Sequence, residues 1–107
     1  MNKQEDVDEI INVILELMEK EHIKCFAKIN SITTFFPSKE CIEEFGSLNR
    51  ILQWINRTVS DRYIIKVKNI EDKSIIAFKS HNNIFIIIPR VNKEKYVINS
   101  LRKHLKS

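Results

Sequence analysis

Glycine occurs once in the 107 residues, as Gly46, where average composition would give about seven. That scarcity excludes whole classes of function. A Walker phosphate loop, a dinucleotide-binding GxGxxG, a GxSxG nucleophile elbow, a GXXG nucleic-acid clamp and tandem EF-hands all need glycines that this chain lacks. Cysteine is scarce as well: Cys25 and Cys41 are too few for a disulfide framework, have no CxxC spacing, and read as buried free thiols. His22 and Cys25 are spaced HxxC, but a structural zinc needs two further ligands, so no metal or other cofactor is expected. Long apolar runs are also missing. The longest, IFIIIP from Ile84, is far too short to cross a bilayer as a helix, and no membrane association is expected. The polar, acidic start MNKQEDVDE lacks a cationic stretch leading into an apolar one, which predicts neither a secretory signal nor a targeting peptide and points to the cytoplasm.

What is present suits one small domain over residues 1–107: 43% of the chain is hydrophobic and 30% charged. The net charge of +4 is unremarkable, but its distribution is not. Residues 1–49 carry 5 basic and 10 acidic side chains, net −5, and residues 50–107 carry 13 basic and 4 acidic, net +9. Solvation alone gives no reason for charges to segregate by half. A basic surface built by the second half points to the phosphate backbone of nucleic acid as partner.

Periodicity supplies the elements. Val7, Ile10, Ile11, Ile14, Leu17 and Met18 form one stripe of a helix, while Val13 and Leu15 lie off its centre, as they would in a helix that is central to its own core or packs against another subunit. HIKCFAKI alternates as a short strand does. Asn30 can cap a short helix over residues 30–36, ahead of Pro37. Ser38 caps the next, over residues 39–45; Gly46 is its left-handed stop, and Ser47 caps a helix from Leu48 to about Ser60. Tyr63 to Lys68, Ser74 to Lys79 and Ile84 to Ile88 read as strands of an antiparallel hairpin or three-strand meander, with the last run interior. Pro89 ends the sheet, Asn92 can cap, and Val97, Ile98, Leu101 and Leu105 mark a final amphipathic helix whose other face is Lys93, Lys95, Arg102, Lys103 and Lys106.

The segment SKECIEEFGSLNRILQWINR, residues 38–57, resembles a helix-turn-helix. That motif needs a turn residue tolerant of positive φ, supplied by Gly46, and apolar anchors around it, supplied by Ile42, Phe45, Leu52 and Ile55. From about residue 7 to 105 the element order is similar to that of the winged helix-turn-helix superfamily. The resemblance implies an α+β fold, with the helix-turn-helix at about 38–60, the wing at about 62–90 and the C-terminal helix at about 92–105. It implies double-stranded DNA as partner and a role in transcription regulation, replication or plasmid maintenance. Asn49, Arg50, Gln53, Asn56 and Arg57 would then read bases, since Arg matches guanine's acceptor pair and Asn or Gln matches adenine. Lys66, Lys68, Lys73, Lys79, His81, Asn82 and Asn83 would meet the backbone or minor groove. Dimerisation through the first and last helices follows from the few base contacts one such domain makes.

Two other classes compete. Nuclease chemistry needs clustered carboxylates, and the basic half offers only Asp61, Glu71, Asp72 and Glu94; the three histidines have no activating context, so no enzyme activity is expected. A protein interaction module, or a subunit of a nucleic-acid-processing complex, is the alternative, in which the Asn, Gln and Arg face contacts protein.

Overall fold

Residues 3–30, 33–36, 57, 63–68 and 74–105 are described by a computed structural model. Their elements, in chain order, are α1 (Lys3–Glu19), β1 (Ile23–Ile29), β2 (Thr33–Phe36), β3 (Ile64–Lys68), β4 (Ser74–Ser80), β5 (Asn83–Pro89) and α2 (Glu94–Leu105). The class is α+β: one antiparallel sheet, ordered β2-β1-β5-β4-β3, carries both helices.

The expected meander is there, because β3, β4 and β5 are successive neighbours. The sheet extends further, however, since β1 pairs along β5 and β2 pairs along β1. The helix expected over residues 30–36 is replaced at Thr33–Phe36 by β2. Two threonines followed by two phenylalanines lose side-chain freedom in a helix and suit a pleated surface, and Phe36, preceding Pro37, is biased to extended backbone. The proposed helix-turn-helix, residues 38–60, lies outside the described residues except for Arg57, which is helical and exposed.

Alternation along the strands sorts the interior into two layers. On one face Ile23, Phe26, Ile76, Phe78, Phe85 and Ile87 meet Val7, Ile10, Ile14 and Leu17 of α1 and Val97, Leu101 and Leu105 of α2. Phe78 and Phe85, partners in register, stack with ring centroids 5.0 Å apart. The other face carries Cys25, Ala27, Ile75, Ala77, Ile84, Ile86 and Ile88, also buried. Strand β5 is therefore buried on both sides throughout, as its unbroken apolar run implies. Cys25 is buried and forms no disulfide with a described residue, in line with its sequence context.

The described left-handed positions are all filled without glycine. Glu21, with φ 63°, ends α1 in a Schellman arrangement: the His22 amide donates to the Leu17 carbonyl and the Glu21 amide to Met18. His81 and Asn82, φ 50° and 66°, form the two-residue loop between β4 and β5, the type I′ geometry that follows the twist of a hairpin. Asn92, φ 65°, occupies the turn after β5, where the Lys93 amide donates to the Arg90 carbonyl. Asn92 was expected as a helix cap, but the Lys93 carbonyl accepts the first helical bond, from the Val97 amide, so Lys93 sits at that position.

Candidate interaction surfaces

Two contacts fix how the helices lie. The His104 imidazole Nδ1 is 3.2 Å from the Glu9 carboxylate on α1. The Tyr96 ring lies 4.3 Å, centroid to centroid, from that of His22, just beyond the end of α1. One side of α2 thus faces α1. With 100° between successive residues, Lys95, Ile98 and Arg102 fall on the side away from it. Because α2 packs over β4, that side overlooks the edge strand β3.

Register places the floor of this step. Ile64 pairs with Phe78 and Lys66 with Ile76, so both β3 residues share the helix-bearing face. Ile64 packs on the core, and Lys66 is exposed. Lys95 and Arg102 are exposed above it, and none of these three cations forms an ion pair with a described residue.

At the other end of the sheet α1 presents a different surface. Glu9 and Asp6 point toward α2 and toward the β4–β5 turn, which directs Ile11, Leu15 and Met18 to the opposite flank, over β1 and toward β2. Ile11 and Met18 are only half-buried, and Leu15 is 42% exposed. Val13, the other residue off the stripe, is half-buried on the side facing α2 and packs against the same core. Glu16 pairs with Lys20, one residue beyond the end of α1, at 3.0 Å; its hydrogen bond, reinforced by the Glu16 charge, holds the Lys20 ammonium above its ordinary range. Both groups are exposed, so the pair adds little stability.

The residues expected to contact DNA are only partly among the described ones. Asn49, Arg50, Gln53, Asn56 and Lys73 lie outside the described residues; Arg57 and Lys66 are exposed. Lys68 closes β3 opposite Ser74, and Lys79 is half-buried on the second face, opposite Ile84. His81 faces inward to α1, its Nε2 3.1 Å from the Asp6 carboxylate. Asn83 is buried, and its side-chain amide donates to the Ser80 and His81 carbonyls at 3.3 and 3.0 Å, which braces the turn. In the β4–β5 turn Asn82 alone is fully exposed. Lys95 and Arg102 were legible in sequence as part of a polar helix face; the spacing of seven residues was the signal for a shared side, but which strand that side overlooks depends on the packing of Tyr96 and His104.

Among the described residues no group of His, Cys, Asp or Glu is placed to hold a metal ion, and no helix is long and apolar enough to cross a membrane. Comparison with protein-family models, with curated proteins and with solved structures finds no match.

Proposed function

We propose that the domain is a protein–protein interaction module whose docking surface is the outer flank of α1. The observation that carries this reading is the row Ile11, Leu15 and Met18, three partly open apolar side chains on one flank of a helix whose Val7, Ile10, Ile14 and Leu17 are buried. Three neighbouring apolar side chains on one helix flank gain from burial against a partner, roughly 25 cal/mol for each Å² removed from water. A second copy satisfies this geometry, because a two-fold axis sets the same flank against itself. Light scattering after gel filtration should give a dimer mass for the native chain and a monomer mass for Leu15→Glu, with unchanged circular dichroism. A monomer at every concentration up to about 100 μM, weaker than most specific dimers, together with no protein captured by the Leu15 flank, defeats the reading.

A second reading keeps the winged helix-turn-helix and its double-stranded DNA partner. Arg57, Lys66, Arg90, Lys93, Lys95, Arg102 and Lys103, all from the basic half, are all exposed, which favours it. Strands β1 and β2 both extend the sheet beyond the wing that this reading calls for. In this reading duplex affinity depends on sequence, and Arg50→Ala or Gln53→Ala weakens that preference by about 1–3 kcal/mol per base pair read, measured by competition between duplexes.

A further inference from the structure

The step between α2 and β3 is basic, and the three cations that line it, Lys66, Lys95 and Arg102, are exposed. We infer that it is a binding site for the sugar-phosphate backbone of a nucleic-acid strand, with Lys95 and Arg102 as its wall and Lys66 as its floor. Neither reading above is needed for it.

Three observations converge. The cations come from two elements far apart in sequence, and the fold brings them to one side of one edge: α2 over β4, β3 next to it, and the α1-facing side of α2 taken by Tyr96 and His104. Lys95 and Arg102 are two helical turns apart, about 10 Å at 1.5 Å per residue, so the two long side chains can reach different phosphates of one strand. No described carboxylate pairs with any of the three. Of the described carboxylates, Asp6 and Glu9 on α1 are turned toward His81 and His104, the latter on the other side of α2, and Glu94 stands in the first turn of α2 without an ion pair to Lys95.

A lipid surface is the other polyanion to weigh. Interfacial binding needs apolar side chains beside the cations to enter the acyl boundary. The exposed large apolar residues Leu15, Val91 and Tyr96 belong to α1, to the turn before α2 and to the α1-facing side of α2. Tyr63, 70% exposed, precedes β3 with the parity of Ile65, which packs on the face away from the helices. The edge position suits a strand running along β3, which a flat bilayer does not reproduce.

The test measures binding of fluorescein-labelled single-stranded and duplex 30-mers of arbitrary sequence by anisotropy, between about 50 and 200 mM salt. Phosphatidylserine and phosphatidylcholine vesicles serve as the lipid probe. Native protein should bind at least one of the oligonucleotides. Lys95→Glu with Arg102→Glu should weaken that binding at least about ten-fold and reduce the salt slope by about two. Lys103→Glu, on the same helix but the other side, and Arg50→Ala should stay within about two-fold. Circular dichroism checks folding; should charge reversal unfold the domain, Lys95→Gln with Arg102→Gln supplies the same comparison. Equal losses from Lys103→Glu, loss confined to Arg50→Ala, binding to vesicles alone, or no binding at the lowest salt would each overturn the assignment.

Discussion

Phe85→Ala should destabilise the domain by about 3–5 kcal/mol, the largest loss expected from any single truncation in it. Phe85 is fully buried on the central strand β5 and stacks on Phe78, its partner in β4, at 5.0 Å. Removing the ring deletes its transfer free energy and leaves a cavity whose walls, Phe26, Phe78 and the helix residues above, are held by two helices and two flanking strands. Such a site relaxes little, which places the cost high in the usual range. The ring pairing contributes a further share, since stacked aromatics add to area burial. Urea unfolding followed by circular dichroism gives the number, with Lys103→Ala as a surface control within about 0.5 kcal/mol. A loss under about 1 kcal/mol would show that the helix-bearing face is not the main core.

Ala77→Phe should destabilise by about 1–3 kcal/mol or more, by the opposite mechanism. Ala77 sits in the second layer of the sheet, opposite Ile86 in β5 and Ile65 in β3, and both Ala77 and Ile86 have no exposed surface. Ala27 occupies the matching position in β1, also opposite Ile86. Small residues on either side of a large one leave no gap for a ring, so the phenyl group must displace neighbours or force strained rotamers. Thermal unfolding should show the loss as a fall of at least about 4 °C, the usual scale for 1 kcal/mol in a domain of this size. A neutral result would mean that this face is loosely filled, and the two-layer interior described above would be wrong.

Where local pattern carries the information, sequence and structure agree. The stripe of α1, the alternation of β3, the apolar run of β5 and the spacing in α2 each predict the element found, because each buries its apolar face in the ordinary way. Residues 33–36 went astray through reliance on Asn30 as a cap and Pro37 as a stop; the four residues between them favour a strand on side-chain grounds, and β1 supplies the partner. Pairing of β1 with β5 was not legible at all. It joins segments about sixty residues apart, and no local period encodes it. The same non-local packing decided the candidate sites: His81 had the look of a free turn residue until Asp6, 75 residues earlier, was seen to meet it. Left-handed backbone does not depend on glycine among the described residues. Glu21, His81, Asn82 and Asn92 take up such conformations with side chains in place, each at a cost of roughly 1–2 kcal/mol for a residue with a β-carbon, and less for asparagine.

The central position of β5 has a consequence for how the chain reaches its native state. β1 and β2 can form a hairpin early, but the strand that unites them with β4 and β3 is completed only at Pro89, and α2 follows it. During synthesis from the N-terminus, the two halves of the sheet therefore stay unjoined until residues 83–89 are made. Closing so long a loop before its contacts form slows folding, which places this domain among the slower folders for its size. Until then the apolar sides of β1 and β4 are exposed to other chains, and a ribosome stalled before residue 83 would hold a product unable to bury them. The Asn83 amide that braces the start of β5 thus acts at the moment when a nascent, aggregation-prone chain becomes a closed one.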